Sequence, residues 1–287
     1  MARMTNVKAS ESPELTQGQA VRQDGVQSVR RAVRILSALS EHPYPMGVKE
    51  LSDRLHISTP AVHRMLSTLA SMGWVEQNVR SSRYRVGTNL LGVGAAALIT
   101  HPVVQNGRIF LERLSEETGC NSLLSTLVGG RVVHLARVQG RTGHEVDFVA
   151  GVAIPAHASS AGKLLLAYLP EDERRLVYEG GFRQYTERTI TDVDKLEMEL
   201  ESIRQDGFAV DRGERWSNHQ AVAAPIFGTD KRPLLAMMCT GNADLMKDLI
   251  PSLPALMTEL TQEMTEQLTV LGDMPKIAVD AARFNLE

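Results

Sequence analysis

The stretch ISTPAVHRMLSTLASMGWVE, residues 57–76, decides how the front of this 287-residue chain folds. Val62, Met65, Leu66 and Leu69 recur at the i, i+3, i+4, i+7 spacing that buries one stripe of a helix. Pro60 suits the first helical position, which leaves Thr59 as the N-cap, and Gly73 supplies the C-terminal stop. The opposite side is small and hydrogen-bonding: Ser58, Thr59, His63, Arg64 and Ser67.

The segments around it give this helix its setting. Upstream, VQSVRRAVRILSALSEH (26–42) places Val29, Val33, Leu36 and Leu39 on one helical face, with Arg30, Arg31 and Arg34 mostly elsewhere. HPYPMG breaks that helix, and VKELSDRLH (48–56) restarts it with Val48, Leu51 and Leu55 inward. Downstream, WVEQNVRSSRYRVG (74–87) reads as two short strands around NVRSS. Helix, short helix, turn, helix, hairpin is the order of a winged helix-turn-helix, whose last helix enters a DNA major groove with its N-terminal residues leading. A face that approaches base edges has to be small and hydrogen-bonding, and Thr59, His63, Arg64 and Ser67 meet that need, with Ser58 and Pro60 beside them at the leading end. Arg80, Arg83 and Arg85 of the hairpin would meet phosphates or a minor groove, and Arg30 and Arg31 would brace the backbone.

Charge distribution agrees. The net charge is −3, yet residues 1–92 carry 12 Lys+Arg against 7 Asp+Glu, and the remainder carries 19 against 27. Only the front is suited to a polyanion. Residues 1–25 lack the apolar region of a signal peptide and read as a polar tail. No apolar run is long enough to span a bilayer. Two cysteines, Cys120 and Cys239, make neither a disulfide framework nor a four-ligand metal site. The expected setting is the cytosol.

TNLLGVGAAALIT (88–100) is an apolar linking helix whose faces need a partner, either a second subunit or the chain's own domain. From Val103 the pattern becomes mixed: an amphipathic helix (103–119), two strands around Gly129-Gly130, and HEVDFVAG (144–151) in β style. Helical segments cover 160–181 and 191–208, a second hairpin covers 221–241, and one closing helix over 245–272 is bent near its prolines. This is an α+β domain able to hold a small molecule. The division is 1–25, 26–88, 89–102, 103–273 and 274–287: tail, winged domain, linker helix, effector domain, tail.

Four strings in this order resemble the IclR family of bacterial transcriptional regulators. They are VQSVRRAVRILSALSE (26–41), VKELSDRLHISTPAVHRMLSTLASMGWVEQ (48–77), AHASSAGKLLLAYLP (156–170) and DGFAVDRGERWSNHQAVAAPIF (206–227), and the resemblance spans residues 26–272. It implies a winged helix-turn-helix, a linker helix, a GAF/PAS-like effector domain, homodimers or tetramers, and binding to double-stranded operator DNA. By position, the effector would meet Ser160 and Ala161, where a helix start favours an anion. Asp211, His219, Ala221, Met238 and Thr240 would complete the lining. Ala221 stands where the family often has Cys, and Met238 where a hydroxyl can occur. Those departures argue against a pyruvate-sized effector and toward a larger, partly apolar or aromatic carboxylate. Repression is the expected mode, with metabolic or catabolic genes as the targets.

Rival chemistry starts from Ser160-x-x-Lys163, the spacing of serine acyl enzymes in which a lysine activates the hydroxyl. The S-D-N and K-T-G elements that accompany it are absent, so catalysis is not expected. His134, His144, His157 and His219 lack metal-ligand spacing, and Gly162-Lys163 lacks the rest of a phosphate loop. No metal or cofactor is expected. A metabolite-binding protein that never touches DNA is the remaining alternative.

Overall fold

The computed structural model describes residues 26–42, 44–142, 154–228 and 231–270. The front unit consists of α1 (Gln27–Glu41), α2 (Val48–Leu55), α3 (Thr59–Ser71) and the hairpin β1 (Val75–Gln77) and β2 (Tyr84–Val86). Ile35, Leu39, Leu51, Leu55, Val62, Leu66, Val75 and Tyr84 form its core. Full burial of each such side chain is worth about 1.5–3 kcal/mol. Backbone bonds between Met46 and Tyr84, 2.8 Å in each direction, add a rung to the hairpin. Gly73 adopts φ +70°, the left-handed conformation that ends α3.

Two details of this unit differ from the periodicity. In α1 the buried residues are Ile35, Ala38 and Leu39, whereas Val29 (59% exposed) and Val33 (54%) stand off the core. Only the C-terminal half of α1 lies over the other helices, so its first turns have nothing to pack on. The N-cap of α3 is Ser58, with Thr59 and Pro60 both inside the helix. Ser52 Oγ on α2 donates to Ile57 O at 2.7 Å and sits 3.0 Å from Thr59 Oγ1, so the Thr59 hydroxyl bonds across the turn.

Helix α4 (Thr88–Thr100) follows, then α5 (Pro102–Thr118). Although apolar, α4 has no buried residue; Leu91 and Ile99 are 68% and 69% exposed. Next come β3 (Asn121–Val128), β4 (Arg131–Val138), β5 (Ile154–Pro155), a 3-10 turn (Ala156–Ala158), α6 (Ser160–Ala167), α7 (Glu171–Tyr178) and α8 (Val193–Asp206). The chain continues through β6 (Ala209–Asp211), β7 (His219–Phe227), β8 (Pro233–Asn242), α9 (Ala243–Leu249) and α10 (Leu253–Val270). Pro170 separates α6 from α7. Pro251 separates α9 from α10, so the closing segment is two helices rather than one bent helix: proline cannot continue the backbone ladder. HEVDFVAG lies outside the described residues.

The strands form one six-stranded sheet in the order β5-β4-β3-β8-β7-β6, antiparallel throughout. Side-chain alternation gives it two apolar faces. Leu124, Val222, Ala224, Met237 and Cys239 pack with Phe110, Leu114, Met257 and Met264 of α5 and α10. Leu123, Ala221, Ala223, Ala236 and Met238 share the other cluster with Leu164, Leu165, Leu196 and Leu200 of α6 and α8. Both cysteines are buried and free. Among the described residues, no helix is long and apolar enough to cross a membrane.

The start of α6 sits hard against the preceding turn. A Cβ on Gly162 would lie 2.3 Å from Ala156 O and 2.4 Å from Ala156 Cα, both backbone atoms. Gly162→Ala is therefore expected to destabilise the fold by at least about 1–3 kcal/mol, the cost of overpacking. Denaturant unfolding measures it; a midpoint equal to that of the parent would show that the turn yields freely.

Candidate functional site

One exposed face of α3 gathers Ser58, Thr59, Pro60, His63, Arg64 and Ser67, while Ala61, Val62 and Leu66 are buried behind it. Thr68 and Ser71 extend the same face, and the Thr68 hydroxyl donates to Arg64 O at 3.0 Å. Sequence reasoning stopped at Ser67, although one more helical turn would have reached both. Among the described residues the Arg64 and Arg80 side chains make no ion pair. Arg83 and Arg85 differ. Arg83 Nη1 donates to Pro45 O (2.7 Å) and Glu50 Oε2 (3.2 Å), and Arg85 pairs with Glu76 Oε2 at 2.8 Å. Arg85 links the two hairpin strands and Arg83 ties the hairpin to α2 and the segment before it, so both present less free charge than their number suggests. Arg30 is exposed and Arg31 half-buried on α1.

A second site is a cavity beside the sheet. Strand pairing places its floor. Asp211 pairs with Ala221, Ala221 with Thr240, and Thr240 with Asn121, so these four lie in one row across four strands. In the next row Met238 pairs with Leu123, and Leu123 with Arg137. His219, Gln220, Ile154, Ser159, Arg215, Trp216 and His134 complete the lining. Asp211, His219, Ala221, Met238 and Thr240 thus come together at one cavity, as the sequence reading grouped them.

Ser160 and Ala161 do not line it. Ser159 does, one residue earlier. Ser159 is the extended N-cap of α6, and its Oγ accepts from Gly162 N at 3.1 Å. The helix then turns the next two side chains inward. Ala161 packs in the α6 core, and Ser160 Oγ is buried with no hydrogen-bond partner among the described residues.

Arg137, His134, Arg215 and Trp216 were not legible in the sequence. Plain alternation along β4 puts His134 and Arg137 on opposite faces. A β-bulge at Leu135 changes that, because Ser125 pairs with His134 while Leu124 pairs with Ala136 and Leu123 with Arg137. Both side chains then face the cavity. Arg215 and Trp216 sit on the loop joining β6 to β7. The Arg215 guanidinium lies 4.2 Å from the Tyr185 ring centre and 5.1 Å from that of Trp216.

The electrostatics are mixed. Burial raises the Asp211 carboxyl above its ordinary value, even though Asp211 Oδ1 accepts N–H bonds from Gly213 (3.0 Å) and Glu214 (2.7 Å). Glu214, just behind, is pushed by burial up to about 7. Two guanidinium groups among Leu123, Ile154, Met238 and Trp216 suit an organic anion with an apolar body. Lys163 is fully buried and its Nζ donates to Glu214 Oε1 (2.6 Å), Glu199 Oε1 (2.8 Å) and Val210 O (2.9 Å). All three ammonium hydrogens are thereby used, which leaves none to serve Ser160. His157 stacks on Phe182 and bonds to Arg183 O at 3.0 Å, outside the cavity. Among the described residues, which exclude His144, no group of three or more His, Cys, Asp or Glu is placed to hold a metal.

Comparison with known proteins fits both sites. Residues 28–79 match the IclR helix-turn-helix domain, and residues 95–267 match the bacterial transcriptional regulator IclR C-terminal family. The chain belongs to the IclR family. It is similar to the HTH-type transcriptional regulator BhcR of Paracoccus denitrificans, 32% identical over 78% of this chain and 80% of that one. It is also similar to XynR of Escherichia coli, 28% identical over 74% and 84%. The crystal structure of an IclR regulator from Alicyclobacillus acidocaldarius is 27% identical with a TM-score of 0.64, covering 84% of this chain and 98% of that one. This IclR-family chain is a ligand-responsive, DNA-binding transcriptional regulator.

Burial pushes His134 down to about 4 from 6.5. As pH falls below 6.5 the unfolded chain takes up a proton that the folded chain refuses until about 4. Stability is therefore full above that window and declines across it. His134→Gln is expected to flatten the decline in unfolding free energies measured across the window; an unchanged slope would mean that His134 titrates normally.

Proposed function

We propose that this regulator represses metabolic genes by seating α3 in the operator's major groove, and that an organic acid in the cavity alters its occupancy. The observation that carries this reading is the pairing of an exposed, hydroxyl-rich α3 face with a cavity lined by Arg137 and Arg215. In the groove, Thr59, His63, Arg64 and Ser67 would meet base edges, with Ser58 and Pro60 at the leading end. Arg30, Arg31 and Arg80 would contact phosphates, and Arg83 would do so only through the part of its guanidinium left by Glu50. Ser159, rather than Ser160 or Ala161, stands at the cavity's helix start.

The working division is 26–88 for DNA binding, 89–102 for the linker and 103–273 for the effector. Exposed Leu91, Val93 and Ile99 of α4, with Val29 and Val33 of α1, would be covered in a homodimer, and dimers would pair into tetramers. Helix α4 then ties the cavity to the spacing of two recognition helices. The ligand shifts occupancy only by binding two arrangements of the dimer unequally. Its class is a carboxylate with an aromatic or bulky apolar body: Met238, Leu123 and Trp216 offer surface, and Asp211 can accept a hydroxyl hydrogen. The protein acts in the cytoplasm, where the operator is. Ser160 and Lys163 would not act as a serine–lysine catalytic pair, since Lys163 is fully engaged and Ser160 is buried away from the cavity, which supports a regulator over an acyl-transfer enzyme.

Gel shift at fixed salt, with the chain's own upstream region against random duplex, tests the reading. Arg64→Ala is expected to weaken operator binding by about 1–3 kcal/mol, the value of a base contact. Equal affinity of the two proteins would remove Arg64 from the interface. Met238→Trp should fill the cavity and abolish the response to a panel of aromatic carboxylic acids while sparing operator binding. A parental dose–response in that variant would move the effector elsewhere.

A further inference from the structure

Lys163 is an expensive residue where it stands. Its side chain is 0% exposed and Glu214's is 6% exposed, deep beside the α6 start. A buried ion pair contributes little net stability, because desolvation cancels most of the attraction. What it can supply is geometry, and here the geometry leads to the cavity. Lys163 Nζ holds Glu214 Oε1 at 2.6 Å, and Glu214 immediately precedes Arg215 and Trp216. The main chain of the same short segment is gripped as well: Asp211 Oδ1 accepts from Gly213 N and Glu214 N, the Thr189 hydroxyl donates to Glu214 O at 2.6 Å, the Thr186 hydroxyl to Gly213 O at 2.8 Å and Arg188 Nη1 to Arg212 O at 3.0 Å. Among the described residues, Lys163 alone holds the Glu214 side chain.

From this we infer that Lys163 is a positioning residue for effector recognition: through Glu214 it fixes the β6–β7 loop so that Arg215 and Trp216 face the cavity. The inference rests on reading the cavity as the effector site, but the placement of the loop can be measured without effector or operator. Lys163 itself does not line the cavity. Its anchor points, Glu199 on α8 and Val210 O on β6, belong to well-packed elements, so the lysine ties a loop to a rigid base. The Arg215 guanidinium, laid against Tyr185 and Trp216, then inherits the loop's orientation.

The chain has two tryptophans, Trp74 and Trp216, so Trp74→Phe leaves Trp216 as the sole emitter. In that background, full-length protein is compared with two variants: the charge-free pair Lys163→Met/Glu214→Leu, and Glu214→Gln. Removing both charges together avoids stranding Glu214; Glu199 reaches solvent and Asp211 keeps its bonds from Gly213 N and Glu214 N, so the pair variant keeps a thermal midpoint near that of the parent. Glu214→Gln leaves Lys163 bonded to Glu199 and Val210 O and so keeps the fold in any case. The expected result is an acrylamide quenching constant for Trp216 at least about two-fold above the parent in the pair variant, as for a locally opened loop. Glu214→Gln should show a smaller rise in the same direction. Parental quenching and emission maximum in both folded variants would overturn the assignment. Failure of operator or acid binding in the parent would instead count against the proposed function and leave the loop measurement standing.

Discussion

Strand β8 runs through the middle of the six-stranded sheet, and its pairing with β3 on one side and β7 on the other fixes everything built around it. Its side chains alternate. Met237 and Cys239 enter the layer under α5 and α10, while Ala236 and Met238 enter the layer shared with α6 and α8. A slip of one residue would exchange the two sets and destroy both layers at once, so the register is strongly specified. The cavity floor is a by-product of that register. Asp211, Ala221, Thr240 and Asn121 come from four strands distant in sequence and meet because the ladder aligns them.

The two halves of the molecule were legible in the sequence to different degrees. Helix α3 is one contiguous, periodic segment between a turn and a glycine, so its buried and exposed faces follow from the spacing of Val62, Met65, Leu66 and Leu69. The differences in the front unit are local ones, the cap of α3 at Ser58 in place of Thr59 and the unburied Val29 and Val33 of α1, each set by tertiary neighbours that periodicity does not contain. The cavity is assembled from separated strands and a loop. The resemblance grouped Asp211, His219, Ala221, Met238 and Thr240, which lie at one cavity, and named Ser160 and Ala161, where Ser159 of the extended cap faces the space instead. Trp216 and Arg215 sit on an irregular segment with no period to read.

Charge is spent differently in the two sites. At the hairpin, Arg83 and Arg85 are paired at the surface, where such pairs are worth little energetically and mainly hold side chains in place. Next to the cavity, Lys163, Glu214 and Asp211 are buried, and their arrangement is maintained by many bonds at once. Helix α4 shows the opposite economy: it is apolar and unburied, and so asks for a neighbour.

The bulge in β4 couples recognition to strand alignment. Straight pairing beyond His134 would set Leu135 opposite Leu124 and Ala136 opposite Leu123, and would turn Arg137 into the apolar layer beneath α5. A guanidinium there would lose its hydration with nothing to replace it. With the bulge, Arg137 lies on the cavity side and that cost does not arise. An apolar residue at this position would carry no such penalty in the straight ladder, so side-chain chemistry and strand alignment are linked at residue 137.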